Sequence, residues 1–148
     1  MVNQTTTQTR QTSRILEDAK IDVKLKIAAL WAAVMFIFAY GDIFAYFRTG
    51  YLQDIMTGTV SGNQLNQVFL MGISVYVAIP SLMVFLSLVL KPQINRWANI
   101  ILSLLFAAAN LLSCIGETWA YYFVMTALES VLLLAVAWYA WTWPRTDR

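Results

Sequence analysis

Histidine is absent from this 148-residue sequence, and Cys114 is its only cysteine. The usual nitrogen and sulfur ligands of zinc, haem or an iron–sulfur cluster cannot be assembled within one such chain, and an intrachain disulfide cannot form. Ser–His and Cys–His nucleophiles are excluded with them, and no Gly-rich phosphate loop is present. No metal and no cofactor is expected, and Cys114, inside an apolar run, reads as a small packing residue. Charge is scarce too, at 12% of residues against 59% hydrophobic, and the formal net charge is only +2. With the basic residues at segment ends rather than along a recognition helix, nucleic acid is excluded as a partner. A secretory leader is not expected either, because MVNQTTTQTRQTSR has no apolar core behind a basic start. Lipid, rather than water, is the expected solvent.

What the chain does have is four long apolar runs, near residues 27–47, 68–90, 97–116 and 120–143. At about 1.5 Å of rise per residue, each is long enough to cross a hydrocarbon core of about 30 Å. The expected fold is an all-α membrane protein, a four-transmembrane-helix bundle with an N-terminal amphipathic segment. Residues 1–12 are polar and Thr/Gln-rich, with too little apolar surface to offset ordering entropy, and read as a disordered tail. Over residues 13–26, Ile15, Leu16, Ala19 and Val23 can share one helical face, which suits an interfacial segment. The transmembrane domain then covers 27–144, and residues 145–148 form a short tail. Lys91-Pro92 closes the second run, since proline restricts both itself and its predecessor. In the loop between the first two spans, YLQDIM suits a short surface helix.

The charges are one-sided. With four crossings, Arg10, Arg14, Lys20, Lys24, Lys26, Lys91, Arg96, Arg145 and Arg148 share a side, and Arg48 lies opposite. Lysine and arginine near span ends are retained in the cytoplasm, so both termini are expected there, in a bacterial inner membrane. Trp97, Trp138, Trp141 and Trp143 fall near one boundary and Tyr46, Tyr51, Trp119, Tyr121 and Tyr122 near the other, as interfacial anchors do.

Asp42 and Glu129 are the costly residues, because a carboxylate deep in a bilayer costs about 2.5–3.5 kcal/mol unless it faces protein or water or takes a proton. Counting helical rise from the basic boundary, Asp42 lies about 24 Å up, Tyr76 about 22 Å, and Asn110 and Glu129 each about 21 Å. One polar side chain per helix thus falls in a single layer. Residues three, four and seven apart share a helical face, which brings Trp31, Met35 and Tyr46 to Asp42, and Tyr122 and Thr126 to Glu129. Ser103, Ala107, Asn110 and Cys114 form a small or polar stripe that lets helices approach closely. Pro80 deprives the Tyr76 carbonyl of its helical donor, so a kink or a polar partner is expected there.

Two acids cost more than uncharged fasteners would, which points to a site. The expected function is binding of a small amphipathic or cationic ligand, or exchange of a proton, by Asp42 and Glu129 with Asn110, Tyr76, Trp31, Met35, Tyr46, Tyr122 and Thr126 around them. Arg96, Asn95 and Asn99 at the basic turn are candidates for gripping a lipid head group. The alternatives are a structural or accessory subunit of a larger membrane protein, and an enzyme using paired carboxylates as acid and base on a hydrophobic substrate. The second alternative is the weaker, since carboxylate chemistry is all the chain offers. Partners are then the bilayer, a small hydrophobic or cationic ligand, and a second copy or another membrane subunit.

The segments KLKIAALW, FAYGDIFAYF, LVLKPQINRWANI and ALESVLLLAVAWYAWTWP resemble a family of small bacterial four-span membrane proteins of unknown function. The resemblance runs from about Lys24 to Pro144, and Asp42, Pro80, Asn95, Arg96, Asn99 and Glu129 occupy what look like its signature positions. It implies the four-span topology and carries no activity.

Overall fold

The computed structural model describes residues 20–144. The 1–12 tail, most of the 13–26 segment and the 145–148 tail lie outside the described residues. Helix α1, Val23–Ala45, starts where the Asp22 carboxylate accepts the Lys24 N–H at 2.7 Å, satisfying one of the donors that a helix start leaves open. Helix α3, Gln67–Val89, is capped in the same way by Asn66, which accepts from the Phe69 N–H at 2.9 Å. Helix α4 is Pro92–Ser113 and α5 is Ala120–Trp141. These four are long and apolar enough to cross a membrane, so the chain is an all-α, multi-pass membrane protein.

Two expected boundaries need correction. Residues 23–26 do not belong to a separate interfacial segment but form the first turn of α1, because Asp22 caps the helix ahead of them. The third span starts at Pro92 and not near Trp97. Proline ends the preceding helix, yet its fixed φ and missing N–H suit the first position of the next one. The Lys91–Arg96 stretch is therefore mostly helix, with the connection reduced to Leu90 and Lys91.

Between α1 and α3 the chain forms a short helix α2, Tyr51–Met56, and two paired strands, β1 (Thr59–Val60) and β2 (Asn63–Gln64). The strands are antiparallel, with Thr59 opposite Gln64, and their turn needs positive φ at Ser61 and Gly62 (47° and 79°). This hairpin marks one end of the bundle; Lys24, Lys26, Lys91 and Arg96 mark the other, basic end.

Helix α1 packs against both α3 and α5, and α5 packs against α4, whereas the backbones of α3 and α4 approach each other little. The order around the bundle is therefore α3, α1, α5, α4, with a weak seam between the last and the first. The core is densest toward the basic end, where Ile27, Trp31, Met83, Leu133, Val136 and Ala140 are buried. Lys24 Nζ donates to the carbonyls of Leu88 (3.0 Å) and Leu90 (2.9 Å), answering acceptors that α3 leaves open at its end. The buried residues of α3 are Pro80, Met83 and Ser87, all in its basic half. Pro80 leaves α3 unbroken, and the Ser81 hydroxyl donates to the Val77 carbonyl at 2.8 Å. Among the described residues no side chain reaches the Tyr76 carbonyl.

Candidate functional site

Three helices and one residue of the fourth enclose a cavity of about 270 Å³ in the hairpin half of the bundle. Helix α1 supplies Phe38, Gly41 and Asp42; α4 supplies Ala109, Asn110 and Ser113; α5 supplies Tyr122, Met125, Thr126 and Glu129; α3 supplies Tyr76. Asp42, Tyr76, Asn110 and Glu129, placed in one layer by helical rise, thus share one cavity. Glu129 is only 6% exposed, and its Oε2 accepts from Asn110 Nδ2 at 2.8 Å. Asp42 differs, since among the described residues its carboxylate has no hydrogen bond and no ion pair. The Tyr122 hydroxyl donates to Ser113 Oγ at 2.8 Å, and Ser113 Oγ donates to the Asn110 carbonyl at 2.7 Å. The floor is the Tyr76 ring against Phe106, with centroids 4.7 Å apart. Below it lies a void of about 10 Å³ bounded by Val34, Met35, Pro80 and Leu133, room for one water at most.

Toward the hairpin end the cavity meets a vestibule of about 570 Å³, whose wall also includes Gly41, Asp42, Ser113 and Tyr122. Asp42 therefore stands at the junction of the two spaces. The vestibule rim carries the ion pair of Arg48 with Glu117: both terminal guanidinium nitrogens lie 2.9 Å from Glu117 Oε2. Arg48 Nε donates to the Tyr121 hydroxyl at 2.7 Å, and the rings of Trp119, Tyr121 and Tyr122 lie 5.5, 4.9 and 5.4 Å from the guanidinium carbon. Glu117 Oε1 accepts the N–H groups of Thr118 (2.8 Å) and Trp119 (3.0 Å). Partial burial pushes the Glu117 carboxyl up, but the two backbone donors and Arg48 outweigh it and hold the group below its ordinary value. Sequence reasoning passed over Glu117; the signal available was the lone arginine of that side next to a cluster of aromatic anchors.

Other candidates fall elsewhere. Trp31 is fully buried nearer the basic end and donates from Nε1 to Asn99 Oδ1 at 2.6 Å, so it belongs to a separate network. Asn99 Oδ1 also accepts from the Ser87 hydroxyl at 3.2 Å, and Asn99 Nδ2 donates to both Asn95 O (2.8 Å) and Asn95 Oδ1 (2.6 Å). Asn95 Nδ2 in turn donates to the Ser87 carbonyl at 2.6 Å. Asn95 and Asn99 are 0% exposed, so they cannot grip a lipid head group; their amides are committed to the bundle. Arg96 is half-buried between the rings of Trp97 and Trp141, 5.6 and 5.5 Å away, and a terminal guanidinium nitrogen donates to the Trp141 carbonyl at 3.4 Å. Tyr46 is 49% exposed and turns to Tyr51, with ring centroids 5.9 Å apart, outside the cavity wall. It is the C-cap of α1, where the backbone tightens to an i→i−3 bond with the Ile43 carbonyl. Met35 lines the small void, and Tyr122 and Thr126 line the cavity.

Residues 14–148 match a family of unknown function, DUF6326. The chain belongs to that family. No curated protein and no solved structure matches it. What this DUF6326 member offers chemically is a pair of carboxyl groups, four hydroxyls and an amide around a partly apolar space. Such a set can hold a cation or relay a proton.

Proposed function

We propose that the cavity binds a small amphipathic cation, or a proton, entering from the hairpin end, with Asp42 as the primary charge and Glu129 as the deeper one. One observation carries the reading. Asp42 lies within a membrane-crossing helix and has no protein partner among the described residues; its side chain is exposed where the cavity meets the vestibule. A structural acid at that depth would be expected to find a donor, because leaving it unpaired costs several kcal/mol. Phe38, Met125 and the Tyr76 ring supply the apolar wall that an amine with hydrocarbon substituents would contact.

Isothermal titration of the detergent-solubilised protein with small primary and quaternary ammonium ions tests this. An ion pair about 4 Å apart near a protein surface is worth about 4 kcal/mol, so Asp42→Asn is expected to lose at least about 100-fold in affinity with helical content unchanged. Equal binding by Asp42→Asn and the parent would remove the proposal. The Asn110–Glu129 bond favours a second reading in which Glu129 fastens α4 to α5. Under it Glu129→Gln leaves amine affinity untouched, since glutamine still accepts from Asn110; the cation site expects affinity to fall.

On the charge asymmetry we further propose that both termini face the cytoplasm of a bacterial inner membrane. Among the described residues Lys20, Lys24, Lys26, Lys91 and Arg96 sit at one end against Arg48 at the other. A cysteine introduced at Ser61 in a Cys114→Ser background is expected to react with a membrane-impermeant maleimide on intact cells. Labelling only after lysis would invert the orientation.

A further inference from the structure

We propose that the cavity opens sideways into the bilayer between α3 and α4, and that its ligand is a single-chain amphipathic amine whose alkyl tail leaves through that slot. The proposal rests on the cation-site reading of Asp42 and adds the class of ligand and the route of its tail.

The wall on the α3 side is nearly missing. Tyr76 is the one residue of α3 that lines the cavity, and toward the hairpin end beyond it α3 has no buried residue at all. Gly72 lies one turn from Tyr76 on the same helical face, the face that carries Met83 and Ser87 into the core lower down. A Cβ placed on Gly72 would meet no atom within 4 Å. The packed face of α3 therefore fronts open space at the cavity's level. Across the seam α4 presents the small Ala109, and Leu105 and Leu112, a turn to either side, are 60% and 65% exposed. The slot is thus apolar on both rims and continuous with lipid.

A ligand whose ammonium group sits at Asp42 has few other places for a hydrocarbon tail. Downward, the Tyr76–Phe106 stack closes the cavity, and the void beneath is about 10 Å³. Outward, the vestibule is polar and lined by the Arg48–Glu117 pair. Each methylene left in water costs about 0.8 kcal/mol, so the tail takes the apolar exit. Charge at the cavity mouth and an apolar opening at its side select an amphipathic cation over a small hydrophilic one.

The test uses the full chain in phosphatidylcholine nanodiscs and a series of n-alkylamines from ethyl to octyl, counting only binding abolished by Asp42→Asn, which subtracts partitioning into the bilayer. Affinity is expected to rise about fourfold per methylene. Gly72→Trp, which fills the slot from α3, and Ala109→Phe, which fills it from α4, are expected to flatten that rise while ethylamine still binds. Met71→Trp, on the far, 60% exposed side of α3, is expected to leave the whole series unchanged. An unaltered octyl-to-ethyl ratio in both slot-filling variants would overturn the lateral exit and leave the cation site standing. Absence of any Asp42-dependent binding by ethylamine would overturn both.

Discussion

Asn99→Ala is expected to destabilise the bundle by about 2–4 kcal/mol, more than any single change at the cavity. The side chain uses its full capacity: Oδ1 accepts from Trp31 and Ser87, and Nδ2 donates twice to Asn95. Trp31 Nε1 can only donate, so the orientation of the Asn99 amide is settled by its neighbour. Two of these bonds, to Trp31 and Ser87, cross between helices; such bonds in membranes average about 0.6 kcal/mol, so the two give about 1.2 kcal/mol. Truncation adds a void among fully buried side chains and leaves the indole N–H without an acceptor, which raises the loss. Equilibrium unfolding in mixed detergent measures it, with Asn99→Leu as the shape control. Leucine restores volume but no hydrogen bonds, so it is expected to remain at least about 1 kcal/mol below the parent by the same bond arithmetic. A leucine variant as stable as the parent would show that the network contributes little.

The second large effect is acid sensitivity at the hairpin end. Glu117 is held below the ordinary carboxylate range of about 4.3, so its contribution is complete above that value and is lost as pH falls through its lower folded value. Arg48 and Glu117 side chains are 15% and 13% exposed, which places the pair between a screened surface contact and a buried one, worth about 1–2 kcal/mol. Glu117→Gln is expected to lower the thermal midpoint by a constant amount above about pH 5, and the gap to the parent closes below about pH 4. A gap that persists undiminished to about pH 3 would mean that another group carries the acid sensitivity. Because the same pair lines the vestibule that Asp42 also borders, the variant also tests how far the rim restrains entry: faster amine association is expected with little change in affinity.

The contrast between Asn110 and Asn99 shows where sequence reasoning held and where it stopped. Both are asparagines in the same helix, and helical rise placed Asn110 at the height of Glu129, where the structure finds them 2.8 Å apart. The same helix carries Asn95 and Asn99 near a basic turn, and proximity to Lys91 and Arg96 suggested a head-group contact. Rotation about the helix axis decided otherwise: Asn95, Asn99 and Ser103 point into the bundle, and Arg96 packs half-buried against Trp97 and Trp141. Residues four apart share a face, so the Asn95–Asn99 pairing was within reach of the sequence, but the donor waiting on α1, Trp31, was assigned to Asp42 on the strength of the same spacing. Trp31 lies eleven residues before Asp42, about 16 Å lower, which is two different levels of one face.

Four crossings, their approximate limits and a shared height for Asp42, Tyr76, Asn110 and Glu129 follow from local properties of the chain. A bilayer selects on hydropathy over some twenty residues, and helical rise converts position into depth without reference to any neighbour. Which helices touch, which way each is turned, and hence that Arg48 meets Glu117 while α3 leaves a gap beside α4, came from packing among residues as far apart in sequence as Lys26 and Tyr139. Those contacts depend on how side chains of different helices fit together, and hydropathy along one strand of sequence carries no record of that fit.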